Sequence, residues 1–206
     1  MLSLPLTLAA RLLPVAVLAV GGWNLTTGSQ PEADSAPSAS RRPSVKAATG
    51  PAYERPPSPC EAISAETVQK LVPGAKSAGK ELQASDPKRR TGCSWNALKG
   101  FDYRWLDVTF EVSPAPAARE AYDGRKQSSS LPGLGDEASE GAELTEDDGQ
   151  QTRAAVVVVR KENAVVTLTY NGSDFETRKA PDAEAMHEGA LAAAKEAVNA
   201  LDAKGS

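Results

Sequence analysis

The sequence predicts an α+β fold: an antiparallel sheet of about five strands with helices packed on one face, in the order helix-strand-strand-helix-strand-strand-strand-helix. Three observations carry this expectation. Leu106, Val108, Phe110 and Val112 alternate with Asp107, Thr109 and Glu111, the period-two pattern of a half-buried strand. Short links rich in Gly, Asn and Asp separate such runs, which suits hairpins and therefore antiparallel neighbours. Three other stretches repeat their apolar residues at helical spacing and carry helix start and stop signals.

The first helix begins at Ser64, an N-cap candidate. Ile63 and Val68 have the spacing of a hydrophobic staple. Val68, Leu71 and Val72 form its apolar stripe, and Pro73-Gly74 stops it. Residues 75–91 are polar and basic and read as an exposed loop. In the first strand Cys93, Trp95 and Ala97 share a face, and Lys99-Gly100-Phe101-Asp102 is a turn. The second strand, Tyr103 to Val112, ends at Ser113-Pro114. A second helix follows over about 115–127, with Ala118, Ala121 and Tyr122 inward. Leu131 to Ala138 contains two glycines suited to a tight turn, and a strand over about 138–145 comes next. Glu146-Asp147-Asp148-Gly149 turns the chain. Val156 to Val159 are consecutive β-branched residues, so this strand is central with both faces buried. Lys161-Glu162-Asn163 leads into Ala164 to Tyr170, which Asn171-Gly172-Ser173 closes. The last helix starts near Pro181-Asp182 and reaches about Ala203, with Met186, Ala190, Leu191, Ala194, Val198 and Leu201 inward.

Two segments precede this domain, which spans residues 60–206. Residues 1–23 place Arg11 directly ahead of the apolar run Leu12 to Trp23, the layout of a signal peptide or signal anchor. The competing reading is a buried N-terminal helix, but the next segment offers nothing for it to pack against. Residues 24–59 are rich in Pro, Ser and Ala and poor in large apolar residues. Such a chain buries too little surface to offset its ordering entropy and reads as a disordered stalk.

The charge balance excludes some function classes. The chain has 206 residues and a formal net charge of -4. From Cys60 onward it holds 18 basic and 24 acidic residues, so the acidity belongs to the domain. That argues against nucleic acid and anionic lipid surfaces as partners. The only two cysteines, Cys60 and Cys93, would pair in an exported chain. The alternatives are free thiols, or a catalytic or metal role for which His187 is the only histidine available.

Pro59-Cys60-Glu61-Ala62-Ile63-Ser64, then Gly92-Cys93-Ser94-Trp95, then Leu134-Gly135-Asp136-Glu137-Ala138 before paired valine-rich strands together give a resemblance. The chain resembles a family of secreted actinobacterial proteins, mostly lipoproteins, that carry a domain of unknown function. More remotely it is similar to extracellular sensor domains of mycobacterial receptor kinases. The resemblance covers about 60–203. It implies a cell-envelope location, a Cys60–Cys93 bridge and an α+β sheet domain, and it supplies no activity. The chain departs from the lipoprotein pattern in having no cysteine after Ala19-Val20-Gly21-Gly22 to carry a lipid.

Searches for catalytic patterns return nothing. There is no Gly-x-Ser-x-Gly elbow, no phosphate-binding Gly-x-x-x-x-Gly-Lys and no His-Glu-x-x-His. His187 reads as a solvated side chain on the last helix. The acidic run Asp136 to Asp148 lacks the spacing of a calcium loop and reads as charge on an edge strand and its turn. Trp95, beside Cys93, reads as core. Trp105, on the polar side of its strand, and Tyr103 are the candidates for a ligand or partner surface. The expectation is an exported, membrane-tethered envelope protein whose domain works as a sensor-like binding module without catalysis or cofactor. It meets the membrane through its N-terminal segment and an envelope ligand or protein through the domain. An accessory subunit of an envelope complex is the main alternative, and an unrecognised hydrolase a remote one.

Overall fold

The computed structural model describes residues 52–204. The segment 1–23 and most of the stalk lie outside these residues. No helix among the described residues is long and apolar enough to cross a membrane.

The elements are α1 (Ala65–Leu71), β1 (Lys80–Glu81), β2 (Arg90–Lys99), β3 (Asp102–Val112), α2 (Ala115–Asp123), β4 (Ser129–Ser130), β5 (Glu137–Asp147), β6 (Gln150–Lys161), β7 (Ala164–Asp174) and α3 (Ala183–Lys204). A short 3-10 turn, Pro59–Glu61, precedes α1. The strands form one 7-stranded sheet in the order β1-β2-β3-β7-β6-β5-β4, antiparallel at every junction. The α+β class and the single antiparallel sheet agree with the sequence; the strand number does not. The two added strands, β1 and β4, are two residues each. Periodicity cannot register a pair of residues, so β1 was hidden in the basic loop and β4 in the run before Leu131.

A second correction concerns the helices. The main core lies on one face, where α1 and α3 meet Cys93, Trp95, Leu106, Val108, Phe110, Val157, Val159, Val166 and Leu168. Ala118 and Tyr122 of α2 instead pack on Val158 and Val165. Successive side chains of a strand point to opposite faces, so α2 covers the reverse face. The four consecutive valines are the sequence signature of this arrangement, because only a strand covered on both sides can bury Val157, Val158 and Val159 together. The second helix is also shorter than its expected span and ends at Asp123.

Local chemistry explains the element ends. Ser64 Oγ accepts a hydrogen bond from Thr67 N at 3.2 Å, capping α1. Glu196 of α3 completes that cap from a distance: it accepts from Ser64 N (2.6 Å), Ser64 Oγ (3.2 Å) and Thr67 Oγ1 (2.6 Å). Asp182 Oδ1 accepts from Ala185 N at 2.9 Å and caps α3. Ala190, Ala193, Ala194 and Ala197 are all fully buried, and their small side chains let α3 lie close against the sheet. Leu191, expected inward, is only half-buried, while Ala193 takes a fully inward place. Between β5 and β6 the tight turn Asp148-Gly149 holds both residues at positive φ (47° and 74°), as the strand twist requires.

The last strand does not stop at Asn171. β7 runs on to Asp174, with Gly172 paired to Arg104 on one side and Arg153 on the other. A Cβ on Gly172 would lie 2.6 Å from Pro181 Cγ. The glycine marks a close approach of the α3 lead-in and not a turn.

Cys60 and Cys93 are joined by a disulfide, and there is no free cysteine among the described residues. The bridge fixes the domain entry to β2. Packing extends further upstream, because Tyr53 is buried and exchanges hydrogen bonds with the Asn163 side chain, both at 2.9 Å. Its hydroxyl donates to Asp202 Oδ1 at 3.1 Å.

Candidate functional site

The period-two alternation of β3 sends Leu106, Val108 and Phe110 to the core and Tyr103, Trp105 and Asp107 to the reverse face. The register assembles that face into rows crossing the sheet. One row reads Asn96, Trp105, Asn171, Ala154 and Glu143. The next reads Ser94, Asp107, Thr169, Val156 and Gly141. Farther along, Val158 and Val165 lie under α2. In the other direction Leu98, Tyr103 and Ser173 make the row nearest the β2–β3 hairpin tip. Helix α2 thus covers one end of the face and leaves the Trp105 and Asp107 rows as an open strip.

The open strip has defined ends. Gln127 follows α2 and lies over Gly141, where a Cβ would meet Gln127 Oε1 at 2.7 Å. At the tip end, Gln150 Nε2 donates to Ser173 Oγ at 2.7 Å and covers it. Tyr103 stacks there on Phe175, with ring centroids 6.1 Å apart and planes tilted by 34°. Phe175 N donates to Phe101 O at 2.9 Å, binding the end of β7 to the hairpin. Asp174 Oδ1 accepts from Glu176 N and Thr177 N at 2.9 and 2.8 Å, a turn that presents Phe175 outward. Those backbone donors, led by Thr177, hold the Asp174 carboxyl below the usual carboxylate range.

Trp105 has a fixed pose. Its Nε1 donates to Ser94 Oγ at 2.9 Å and to Asp107 Oδ1 at 2.7 Å. Both acceptors belong to the neighbouring row, so the indole leans along the sheet instead of standing on end. It remains 39% exposed. Leu98 and Phe101 (57% each) and Phe175 (47%) add exposed apolar surface beside it. In a chain with few aromatics, an outward grouping of Phe101, Tyr103, Trp105 and Phe175 is a functional pointer.

Trp105 and Tyr103 were legible as surface candidates from strand parity alone. Leu98, Phe101 and Phe175 were not. Leu98 carries no signal of which face it takes, Phe101 has the setting of a turn residue, and Phe175 lies past the expected end of β7. A cross-strand alignment of Leu98 with Tyr103 would have signalled the first; nothing local signals Phe175.

Other polar clusters are weaker. A cleft of about 730 Å³ at the far end is lined by Tyr53, Arg89, Ser113, Arg160 and Asn163 among others. Its cations are already engaged: Arg160 with Asp136 (3.1 Å) and Glu137 (2.7 Å), and Arg89 with Asp86 (3.9 Å). The carboxylate contacts, led by Glu137, raise the affinity of Arg160 for its proton. His187 is not simply solvated: its Nδ1 lies 3.1 Å from Glu140 Oε2. The acidic run is spread along β5 and its turn, and among the described residues no group of three or more His, Cys, Asp or Glu is placed to hold a metal ion.

No family model matches the chain, and no curated protein matches it. A crystal structure from Bacteroides thetaiotaomicron VPI-5482, at 1.50 Å resolution, is similar with 10% identity and a TM-score of 0.27. The match covers 46% of this chain and 42% of that one, so the chain spans less than half of that protein's length. At that score the likeness carries no argument.

Proposed function

We propose that this chain is an exported cell-envelope protein, tethered to the membrane by residues 1–23, whose domain is a non-catalytic, sensor-like binding module. The observation that carries the reading is the open aromatic strip on the reverse face of the sheet. Trp105 is posed there by two hydrogen bonds, left open to solvent, and bordered by Tyr103, Phe175 and Leu98. A disulfide at the domain entry suits an oxidising compartment. The resemblance to secreted actinobacterial proteins supports the same location.

A second reading, an accessory subunit of an envelope complex, draws on the tip. Leu98 and Phe101 are more exposed than Trp105 and are suited to a protein partner.

The test is co-sedimentation of the fragment 52–204, which carries the described domain and lacks the tether of residues 1–23, with isolated cell envelopes. Wild type is expected in the pellet, Trp105→Ala largely in the supernatant, and Lys195→Ala, on the exposed side of α3, in the pellet. Equal pelleting of Trp105→Ala and wild type would remove the binding-face reading. Loss only with Phe101→Ala would favour the accessory-subunit reading.

A further inference from the structure

Resting on the binding-face reading above, we infer that the open strip takes a neutral glycan chain, with one sugar ring stacked on Trp105. In the sheet register Trp105 lies directly between Asn96 on β2 and Asn171 on β7. Neither amide side chain makes a hydrogen bond among the described residues, and neither does the Thr169 hydroxyl one row on. Each free amide offers an acceptor and two donors. Neighbouring strands stand about 4.8 Å apart, so the strands carrying the two amides lie roughly 10 Å apart with β3 between them, which leaves room for a pyranose and its hydroxyl rim. A pyranose has apolar C–H faces and a rim of hydroxyls that each donate and accept. Its face matches the indole and its rim matches the amides.

The pose of Trp105 supports this division. Its N–H is consumed by Ser94 and Asp107, so the indole has no polar group to offer and presents ring surface alone. The ring is also held before any ligand arrives, which lowers the ordering cost of binding.

Charge narrows the ligand class. The Trp105 and Asp107 rows contain no lysine or arginine; their charged members are Asp107 and Glu143. Arg104 and Arg153, adjacent in sequence, point to the other face, where Arg153 Nε donates to Pro181 O at 2.9 Å. An anionic polymer or phospholipid headgroup would meet only repulsion here. A peptide strand is also a poor match, because peptides gain their backbone pairing at sheet edges and this strip lies across central strands. Tyr103, two residues along β3, extends the aromatic surface toward Phe175 by about 7 Å. An oligosaccharide thereby reaches further ring contacts that a single sugar misses.

The experiment titrates the full chain with two probes, the β-1,4-linked hexasaccharides of glucose and of N-acetylglucosamine. Tryptophan emission and calorimetry are followed. Saturable binding to at least one hexasaccharide is expected, with its trisaccharide weaker. Trp105→Ala should weaken binding by about tenfold or more, and Asn96→Ala/Asn171→Ala by several-fold, while Trp105→Phe keeps part of it. Thermal melts of each variant must stay close to wild type. Absence of saturable binding to either hexasaccharide, or equal binding by Trp105→Ala, overturns the inference. If both sugars fail but envelope co-sedimentation still depends on Trp105, the glycan is wrong and the binding face stands. If co-sedimentation is also indifferent to Trp105, both fall. Concentration-dependent self-association that Trp105→Ala abolishes would assign the face to a second copy and overturn the glycan.

Discussion

Replacing Cys60 and Cys93 together by alanine should cost this domain a large part of its stability. The bridge closes a loop of sequence separation 33. In the chain-entropy model that closure restricts the unfolded ensemble by about 3.7 kcal/mol at 25 °C. The native state adds a smaller loss. Cys93 is fully buried in the main core, so its alanine leaves a gap one sulfur atom in size, worth roughly 0.5–1 kcal/mol. The sum is about 4–5 kcal/mol, set against the ~5–15 kcal/mol that single domains possess. For a domain of this size each kcal/mol moves the melting temperature by about 2–4 °C, so a fall of about 8–18 °C is expected. Urea unfolding followed by circular dichroism gives the second readout. The dependence on urea should steepen, because an unbridged unfolded chain exposes more surface. Wild type reduced in denaturant and refolded should behave like the double variant, less the packing gap. A melting shift under about 3 °C with an unchanged urea dependence would refute the argument that the bridge acts on the unfolded chain.

Glu196→Ala removes a carboxylate shared by Ser64 and Thr67 and should destabilise by about 1–2 kcal/mol in urea unfolding. Tyr122→Ala should cost about 3 kcal/mol, because that ring packs α2 onto the reverse face beside Val158; a change under about 1 kcal/mol would contradict the placement of α2. Gly172→Ala should cost about 1–3 kcal/mol in thermal or urea unfolding, since its Cβ would lie 2.6 Å from Pro181 Cγ. Burial, then the hydrogen bond to Asp202, pushes the Tyr53 hydroxyl up to about 12. Its proton is held more tightly in the folded state than in the unfolded one, so its stabilisation is complete below about pH 10 and is lost as pH rises toward 12. Urea midpoints across that window should fall more steeply for wild type than for Tyr53→Phe.

Much of the architecture was readable because it rests on local rules. Strand parity in β3 separated Leu106 from Trp105, and Ser64, Pro73 and Asp182 marked helix ends by capping chemistry. The run Val156 to Val159 announced a strand buried on both faces. Yet the helices were expected on one face, although a doubly buried strand already demanded cover on the other. The identity of that cover depends on a long-range choice, the docking of Ala118 and Tyr122, which no local pattern encodes. Asn171-Gly172-Ser173 misled for a related reason. Its composition is that of a turn, but the glycine answers to Pro181 across the chain. The site divides in the same way. Trp105 and Tyr103 follow from alternation within one strand. The amides that bracket Trp105 come from β2 and β7, and Phe175 arrives from the end of β7, so the site can be seen only once the register is known. Glu196 at the α1 cap is also out of reach of sequence, because its partners lie more than a hundred residues away in the chain.

Whether the reverse face of the sheet is the binding face is read out by oxidative footprinting of the full chain with and without isolated envelopes, followed by mass spectrometry. Labelling of Trp105, Tyr103 and Phe175 should fall when envelopes are added, while the half-buried His187 on α3 keeps its labelling. Protection of His187 with Trp105 unchanged, or no protection at either, would contradict the binding-face reading.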